Sequence, residues 1–397
     1  MRVVYFVSLF PCWSETFIVR ELHELMRLGV DVRIVSLKDP EEKLVQSDAQ
    51  ALLDRVSYPV RGWRGAWNVL RAVAGRPWQT LKELAAIVGQ LIGRPEELAK
   101  SLVVWWRALA LAPVVRGLRP DHLHAHWATY PSTAAMFVSQ RIGVPFSFTA
   151  HAHDIFLHDH LLARKIRTAA FGVTISEFNV RFLAERLRAP VHERLRIVHC
   201  GVTPAEIPFR PDGREPGLIL AVGRLDEIKG FRHLVDACVL LQAWGVPFQC
   251  LVIGEGRLRG ALEQQIAAHG LQERVHLPGA CRQEEVREHL YRASVFALPS
   301  VVTDRGDRDG IPVALMEAMA SGTPVVSTRV SGIPELVEHE VSGLLVPPGD
   351  AESLARALQR LLTEPALGAR LAHHARQTVE RDFDVAKEAR KLYEAFA

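Results

Sequence analysis

Residues 299–326 read PSVVTDRGDRDGIPVALMEAMASGTPVV, and we predict a short helix at 312–321 within this stretch. The helix is apolar on almost every face, which is typical of a buried helix. One carboxylate, Glu317, interrupts the apolar sequence. Burying a charge without a partner is costly. We therefore expect Glu317 to meet a fixed hydrogen-bond donor or to face a ligand that supplies one.

The turn before this helix, Asp309-Gly310-Ile311-Pro312, has the composition of a ligand-binding helix start. Pro312 suits the first helical position, and Gly310 lets the backbone come close to another group. A helix N-terminus also favours anions. Asp309 precedes Glu317 by eight residues, which is about 12 Å at ~1.5 Å per helical residue. The two acids are thus spaced to hold two ends of one extended ligand.

Composition indicates a globular protein with more than one domain. The chain has 397 residues, of which 48% are apolar, and two domains of about 150–200 residues are expected. The net charge of +3 favours no particular partner, and no nucleic acid is expected. The five cysteines are scattered without a Cys-x-x-Cys pair, as in a reduced cytoplasmic protein. The apolar N-terminus lacks a signal-peptide cleavage pattern, so we interpret it as a buried strand, and we expect no membrane span.

Strands and helices alternate with short links in two regions, which predicts two α/β domains with parallel sheets. Ligands bind such domains at the carboxyl ends of the strands, so a cleft between the two sets of ends is expected. We also predict a helix at 158–170 and one helix from 367 to the end. The predicted parts are a first domain at 1–203 with a helical insertion at about 60–119, a linker at 204–217, a second domain at 218–378, and a C-terminal helix at 379–397 that packs back on the first domain.

The insertion is rich in tryptophan and in basic residues. Between positions 61 and 107 lie five of the eight tryptophans and eight Arg/Lys against three Glu. One interpretation is an amphipathic surface that contacts anionic lipid, which would suit a lipid-linked substrate. The other is a set of helices that packs on the first domain. Helix breaks are expected at Gly75, Pro77, Gly93, Pro95 and Pro113.

Two glycine-containing loops follow neighbouring strands of the second domain. The first, GRLDEIKG at 223–230, combines the planar fork of Arg224 with the point charge of Lys229. The second, Gly254-Glu255-Gly256, is a weak signal alone. Two cations and flexible glycines at strand ends suit a diphosphate, and a solvated turn is the alternative.

Histidines mark the first domain. His122, His124 and His126 alternate on one predicted strand, so their side chains point to one face. The pattern resembles a metal triad, but we favour an accident of strand spacing over a metal site. A second cluster, Thr149-Ala150-His151-Ala152-His153-Asp154, follows another predicted strand.

In combination, these segments resemble glycosyltransferase family 4, the retaining, metal-independent GT-B transferases. Blocks in the family's order are GRLDEIKG, IGEG, LPGA, LPS, Asp309 to Glu317 with EAMASGTPVV, and GIPELVEHEVSGLLVPPGD. They cover residues 218–350 densely, and the first half matches through SETFI, DHLHAHWA and FTAHAHDIF. The resemblance implies an α/β protein of GT-B type, with two Rossmann-like doubly wound domains that face a central cleft. It implies neither a metal nor a cofactor.

The resemblance also implies roles for residues of the second domain. Glu317 would hold the donor's ribose, and Arg224 with Lys229 would bind its diphosphate and stabilise the leaving phosphate. Asp309 takes the place of the first of the family's two glutamates, which contacts the donor sugar, and it is one methylene shorter. Residues 331–333 are expected to approach the diphosphate or the sugar, and 301–308 to form a mobile charged loop. The expected donor-binding residues are Gly223, Arg224, Lys229, Gly254, Gly256, Ala280, Cys281, Arg282, Asp309, Gly310, Ile311, Pro312 and Glu317.

Roles in the first domain rest on fewer matched residues. The family pattern places His151 near the reacting carbon, against the donor sugar or the acceptor, with Asp154 three residues later. His126 and His153 are weaker acceptor-side candidates. Ser14 and Thr16 replace a glycine-rich first loop and would contact substrate or cap a helix. The expected catalytic set is His151, Asp309, Arg224 and Lys229.

The function implied is transfer of a sugar, with retained configuration, from a UDP- or GDP-sugar to a glycan or lipid-linked acceptor. The expected location is the cytoplasm, at the inner face of the plasma membrane, in cell-surface polysaccharide or glycolipid synthesis. One alternative is a nucleotide-sugar epimerase of the same fold, and another is a binding partner without catalysis. A nicotinamide dehydrogenase is disfavoured, since no Gly-x-Gly-x-x-Gly follows the first strand.

Overall fold

A computed structural model describes residues 1–12, 15–40, 47–157 and 161–397. The chain divides into two compact units. The first unit comprises Met1–Ile175, Asn179–Val198 and Ala389–Ala397, and the second comprises Ser176–Phe178 and His199–Glu388. Each unit has a hydrophobic core of its own.

The first unit is a parallel sheet of seven strands in the order β3-β2-β1-β4-β5-β6-β7. Its strands are almost wholly buried, as expected when helices cover both faces of a parallel sheet. Its elements are β1 (Arg2–Val7), α1 (Thr16–Arg27), β2 (Asp31–Ser36), α2 (Ser47–Gln50), β3 (Val56–Ser57), α3 (Gly62–Gly75), α4 (Pro77–Leu91), α5 (Pro95–Gly117), β4 (His122–His126), α6 (Tyr130–Ile142), β5 (Phe146–Ala150), α7 (His153–Phe156), α8 (Leu162–Thr168), β6 (Phe171–Thr174), α9 (Glu177–Leu187) and β7 (Leu195–Ile197).

The second unit is a parallel sheet of six strands in the order β10-β9-β8-β11-β12-β13. In both sheets the strand order runs outward in two directions from the first strand, which is the doubly wound arrangement. Its elements are β8 (Glu215–Val222), α10 (Phe231–Ala243), β9 (Gln249–Ile253), α11 (Arg259–Ala268), β10 (Val275–Gly279), α12 (Gln283–Arg292), β11 (Ala293–Leu298), α13 (Val313–Ser321), β12 (Val325–Thr328), α14 (Ile333–Leu336), β13 (Leu344–Val346), α15 (Ala351–Thr363) and α16 (Pro365–Asp382). The last helix, α17 (Val385–Phe396), begins in the second unit, and its residues from Ala389 onward belong to the first.

The helix in the stretch quoted first is α13, and it is buried as predicted. Leu315, Met316 and Met319 are wholly buried, and Glu317 is only partly buried. Pro312 precedes the first helical residue, and Gly322 ends the helix in the left-handed conformation with φ +87°. A Cβ atom at Gly322 would lie 2.9 Å from the ring of Phe209, so this turn requires glycine.

Three predictions of local structure were wrong. Pro113 does not break α5, which continues to Gly117, and Asn68 of α3 donates to the carbonyl of Ala110 within the turn before the proline. The C-terminal segment is two helices, α16 and α17, because buried Phe383 and its neighbours exchange backbone hydrogen bonds with Val202. The helix predicted at 158–170 is the shorter α8, preceded by α7, and residues 158–160 lie outside the described part.

The helical insertion consists of α3, α4 and α5. Pro77 and Pro95 occupy the first helical positions of α4 and α5, where a missing N–H costs nothing. By length and composition α5 is apolar enough to cross a membrane, and half of its most apolar window is buried. The buried face of α5 packs against α3, α4 and α6, as a core helix does.

A buried ion pair anchors the insertion to α6. Glu83 and Arg141 are 1% and 4% exposed, and their side chains meet at 2.6 Å. Glu83 also accepts a hydrogen bond from the indole of Trp105 at 2.8 Å. Arg141 also donates to the hydroxyl of Thr80 and to the carbonyl of Ala72. The carboxylate of Glu83 and the guanidinium of Arg141 thus find their hydrogen-bond partners within the insertion and α6.

The histidines at the start of β4 are core residues. His122 donates to or accepts from Ser147 Oγ at 2.7 Å, and both ring nitrogens of His124 contact hydroxyls of Ser147 and Thr149 on β5. Burial lowers the pKa of His122 to about 4. Burial, together with neighbouring histidines, lowers the pKa of His124 well below its usual range. Both imidazoles are therefore neutral at pH 7.

Breaking the Glu83–Arg141 pair should destabilise the first unit strongly. Arg141→Met leaves a buried carboxylate uncompensated and should cost about 3–5 kcal/mol in the free energy of unfolding. Glu83→Gln/Arg141→Met removes both charges and should recover most of that loss. Urea unfolding followed by tryptophan fluorescence measures both. The exposed α5 pair of Glu96 and Lys100 offers a control, since Glu96→Gln should leave the midpoint nearly unchanged. Equal losses in the single and double variants would refute the explanation.

The first unit should also lose stability in acid because of His122. Its folded pKa lies below the unfolded value of 6.5, so only the unfolded chain binds the proton between pH 6.5 and about pH 4. Stability is then lost as the pH falls, by about 3 kcal/mol at pH 4 for this residue alone. Hydrogen exchange of β4 and β5 amides, corrected for intrinsic rates, measures the slope. His122→Asn should flatten it, and an unchanged slope would contradict the assignment.

Candidate active site

Two glycine loops of the second unit pack on each other at the carboxyl ends of β8 and β9. Gly254 has φ +149°, and a Cβ atom there would lie 1.9 Å from the carbonyl oxygen of Gly223. At Gly256 a Cβ atom would lie 2.4 Å from the carbonyl oxygen of Leu225. These two glycines are therefore required by the packing of backbone on backbone, whatever the loops bind.

The same loop contacts the stretch quoted first. Gly230, with φ +64°, would place a Cβ atom 1.9 Å from the carbonyl oxygen of Pro299. The backbone N–H of Val301 donates to the carbonyl of Ile228 at 2.9 Å. The loop after β8 and the loop after β11 therefore share one packed edge.

This packing brings Lys229 to Asp309. Lys229 Nζ lies 2.8 Å from Asp309 Oδ1, and the two side chains are only 16% and 10% exposed. The other carboxylate oxygen, Oδ2, accepts from Ser300 Oγ at 2.6 Å. Two residues that the sequence placed at the donor's diphosphate and sugar are thus in direct contact. Their pairing was not predicted, because 80 residues separate them.

Arg224 lies on the same loop with its side chain 66% exposed. Its Nε lies 3.8 Å from the carboxylate of Asp226, which Arg257 contacts at 2.6 Å. Burial alone would raise the pKa of Asp226, but hydrogen bonds from the Glu227 N–H and from Arg257 lower it overall. Arg224 is thus a cation at the surface of this edge, whereas Lys229 is buried in it.

Glu317 meets a hydrogen-bond donor from the protein, which is one of the two possibilities that the sequence predicted. It is partly exposed on α13, and Gln283 Nε2 donates to its Oε1 at 3.2 Å. Glu317 and Gln283 line a small depression with Ile207, Val286 and Leu290. Ala280, Cys281 and Arg282 lie just before α12, at or near the surface.

The remaining segments predicted around the donor are structured as follows. Gly310, Ile311 and Pro312 are buried, and Ile311 packs against Gly332. The charged segment 301–308 is a compact turn, in which Thr303 accepts and donates hydrogen bonds with Gly306 and Asp307.

In the first unit, Asp154 holds the loops after β4 and β5. It is 2% exposed, and its carboxylate accepts from the backbone N–H groups of Ala128 and His151 at 2.6 and 3.0 Å. Burial raises its pKa, and the backbone donors oppose that rise. Buried Lys165 donates to the carbonyls of Ala128 and Thr129. Asp154 therefore fixes the backbone of His151, and its predicted contact with the acceptor stays a prediction.

His151 is held on every side. Its ring centroid lies 4.9 Å from Phe17 and 4.6 Å from Trp127, and its carbonyl accepts from Asn179 at 2.6 Å. Burial and then the neighbouring His126 lower its pKa well below the usual range, so the ring is neutral. The environment is that of an oriented side chain, not of a solvated loop histidine.

His126 connects His151 to a residue that the sequence did not single out. His126 Nδ1 lies 3.2 Å from His151 Nε2, and His126 Nε2 lies 3.0 Å from Glu21 Oε1. Glu21 belongs to α1, 105 residues before His126. Glu21 follows the SETFI block in the same helix, but that position alone does not distinguish it from other residues of the helix.

The possible metal ligands in the described part are Glu21, His124 and His126, whose ligand atoms lie within 4.8 Å of one another. This group contains Glu21 and not His122, so it differs from the triad of β4 histidines that we disfavoured as a metal site. Both nitrogens of His124 already contact hydroxyls, as described above. The geometry favours hydrogen bonding over metal binding at these histidines.

The structure describes two of the remaining acceptor-side candidates. His153 is exposed at the start of α7, and Thr16 is the first helical residue of α1. Ser14 lies outside the described residues.

Comparison with known proteins identifies the family. Residues 216–364 match the family model described as glycosyl transferases group 1. The amylovoran biosynthesis glycosyltransferase AmsK of Erwinia amylovora is 31% identical, over 97% of this chain and 96% of that protein. WcaL of Escherichia coli K12, named for colanic acid biosynthesis, is also 31% identical, over 97% and 96%.

A solved structure agrees in fold. The Anabaena protein Alr3699/HepE, crystallised with UDP and glucose, superposes with a TM-score of 0.72 at 18% identity, covering 99% of this chain and 98% of that one. The two parallel-sheet units are those of GT-B glycosyltransferases, which confirms the predicted fold class. With relatives of this identity along almost its whole length, the chain belongs to the group 1 glycosyltransferases.

Proposed function

We propose that this enzyme transfers a sugar, with retained configuration, from a UDP- or GDP-sugar to a hydroxyl of a glycan or lipid-linked acceptor in cell-surface polysaccharide synthesis. The observation that carries the donor assignment is the contact of Lys229 with Asp309 at the strand ends of the second unit. The similarity to AmsK and WcaL, which are named for amylovoran and colanic acid biosynthesis, supports a role in polysaccharide synthesis. The structure of HepE with UDP and glucose supports a nucleotide-sugar donor.

Lys229 is suited to hold a phosphate without losing Asp309. An ammonium group has three N–H donors, and Asp309 engages one of them. Its other two N–H groups can donate to phosphate oxygens, and Arg224 supplies a second cation at the surface. In the proposed reaction these two cations stabilise the charge that develops on the leaving diphosphate. Glu317 would bind the ribose, and Asp309 the donor sugar.

The donor sugar must accommodate a carboxylate that is held in place. Ser300 and Lys229 together occupy both oxygens of Asp309, so the side chain is not free to swing. A carboxylate oxygen accepts more than one hydrogen bond, so a sugar hydroxyl can bind Asp309 while both contacts persist. His151 would contact the sugar or the acceptor near the reacting carbon, as the family pattern implies.

The insertion supports a further part of the proposal, contact with the anionic inner face of the plasma membrane. Among the described residues, eight of the thirteen most exposed large apolar side chains lie on α3, α4 and α5, and a ninth, Ile92, directly follows α4. Trp63 and Trp78 are 75% and 77% exposed. Arg64 and Arg71 lie over the rings of Trp63 and Trp67. Trp105 faces inward instead, and Glu83 is buried, so the exposed surface is more basic than the sequence count suggests.

Removing Lys229 should abolish use of the donor. Lys229→Ala should lower the turnover of sugar transfer roughly 100–1,000-fold, the usual effect of losing one group that stabilises a charged transition state. The assay incubates the enzyme with a panel of UDP- and GDP-sugars, with and without a bacterial lipid extract. Lys387→Ala is the control, since that exposed lysine only donates to the carbonyl of Glu380.

Three outcomes of this assay would contradict parts of the proposal. Interconversion of the donor sugar without any acceptor would indicate an epimerase. Unchanged turnover of Lys229→Ala would remove Lys229 from the diphosphate site. Inversion of the anomeric configuration in the product would contradict retention.

The membrane contact predicts salt-sensitive binding to anionic vesicles. The enzyme should sediment with vesicles that contain phosphatidylglycerol and not with pure phosphatidylcholine, because each basic side chain near an anionic surface contributes about 1 kcal/mol. Trp63→Ala and Trp78→Ala should each weaken binding about ten-fold. Trp244→Ala is the control, because this exposed tryptophan lies outside the insertion, directly after α10, and its loss should leave vesicle binding unchanged. Equal effects of all three substitutions would contradict the assignment of the surface.

A further inference from the structure

A depression of about 530 Å³ lies in the first unit between α3, α5 and the last turn of α6. Its volume falls within the ~300–1,000 Å³ that is usual for small-molecule sites. Asn68, Arg71, Ala72 and Gly75 line it at the three- and four-residue spacing of one helix face. Three of the lining residues are small, namely Ala72, Gly75 and Ala112 of α5, and a Cβ atom on Gly75 would meet no other atom within 4 Å. The space thus follows from the choice of side chains on the facing helices.

The charged side chains that line the depression are all arginines, namely Arg71, Arg76, Arg116 and Arg141. Arg141 is neutralised by its buried ion pair with Glu83. In the described part of the chain, the other three pair with no carboxylate. They are exposed, so the depression is open to solvent. A cleft lined by charges of one sign concentrates counter-ions, so this one attracts anions.

Two of these arginines are fixed at one place by the end of α6. Arg76 Nη1 donates to the carbonyl of Gln140 at 3.1 Å, and Arg116 Nη2 donates to the next carbonyl, that of Arg141, at 3.0 Å. The Arg76 Nη1 also donates to Gln79 Oε1. A guanidinium group has five N–H donors in a planar fork, so each of the two keeps N–H groups on its other nitrogens. Such forks match phosphate oxygens in geometry and charge.

Capping of α6 does not account for the whole cluster. Cations are favoured near a helix C-terminus, and this explains one nitrogen each of Arg76 and Arg116. Arg71 is different, because its guanidinium carbon lies 5.4 Å from the centroid of the Trp67 ring. Trp67 is 48% exposed. Arg71 therefore joins the depression to the exposed tryptophans of the insertion, where a ligand with both a phosphate and an apolar chain would find partners for each part.

We propose that this depression binds the phosphate group of a membrane lipid, with Arg71, Arg76 and Arg116 as its donors. The ligand chemistry is a lipid phosphate with two negative charges, because three cations without carboxylate partners match it better than the single charge of a phosphodiester. The lipid source rests on the membrane contact in the proposed function. The phosphate site itself depends only on α3, α5 and α6 of the first unit, and not on sugar transfer.

Vesicle flotation at equal surface charge tests the site. Phosphatidylcholine vesicles carry either phosphatidic acid, whose phosphate is a monoester, or phosphatidylglycerol, whose phosphate is a diester, and both are adjusted to the same zeta potential. Diffuse attraction to the surface is then equal. The wild-type enzyme should bind the phosphatidic acid vesicles about ten-fold more tightly, as one further charge-assisted hydrogen bond predicts.

Variants locate that preference in the depression. Arg71→Gln and Arg116→Gln should each remove most of it. Ala72→Phe keeps every charge and narrows the depression, so it should have the same effect. Arg64→Gln is the matched control, because this exposed arginine of α3 lies over Trp63, outside the depression. It should weaken binding to both kinds of vesicle alike and preserve the preference. The Arg71 substitution removes only a ring contact, so the fold should persist, and the urea midpoint of each variant checks this.

The outcomes separate this inference from the proposed function. Equal binding of the wild-type enzyme to both kinds of vesicle would overturn the inference and leave the membrane contact standing, whereas binding to neither would overturn both. A preference that survives in Arg71→Gln and Ala72→Phe would also refute the site. Glycerol 3-phosphate is the same monoester without acyl chains, and complete displacement by it at the concentration of the lipid would assign a free phosphate instead of a lipid. None of these measurements requires a donor sugar or an acceptor.

Discussion

The pairing of Lys229 with Asp309 is the interaction on which the candidate site of the second unit depends. Both side chains are largely buried, so either one alone would be an uncompensated charge in a poorly solvated place. The pair connects the loop after β8 to the loop after β11, and Gly230 lets those loops meet at Pro299. A cation and an acid of the candidate site are thus held in one position by the same contact that satisfies each of them.

The histidines of β4 show how position along a strand changes the role of one residue type. His122 and His124 face hydroxyls of β5, which satisfy neutral rings inside the sheet. His126 lies at the carboxyl end of the strand, where its neighbours are Glu21 and His151 instead. Burial lowers the pKa of His122, His124 and His151, and only a neutral ring has a defined donor and a defined acceptor. The low pKa values are therefore what allows these rings to be ordered by hydrogen-bond direction.

The sequence predicted the sheets, most helices and the family, because these depend on contiguous patterns. Gly254 shows the limit of such patterns. Its motif suggested a phosphate loop, yet the structure explains the glycine by the close approach of Gly223. Trp105 shows another limit, since five tryptophans in one segment suggested a single surface, and this one faces Glu83 in the interior. In both cases the residue type was informative, but the contact that explains it lies with a distant part of the chain.

The residues that sequence reasoning missed share a physical cause, because their roles come from contacts between distant parts of the chain. Glu21 lies 105 residues from His126, and Lys229 lies 80 residues from Asp309. Parallel sheets bring such positions together because every strand ends at the same edge, so the partners need no fixed spacing in sequence. The loops of the second unit could still be recognised as family motifs, since each motif is contiguous. In the first unit His126 contacts a carboxylate that belongs to α1, and no local sequence pattern encodes that contact.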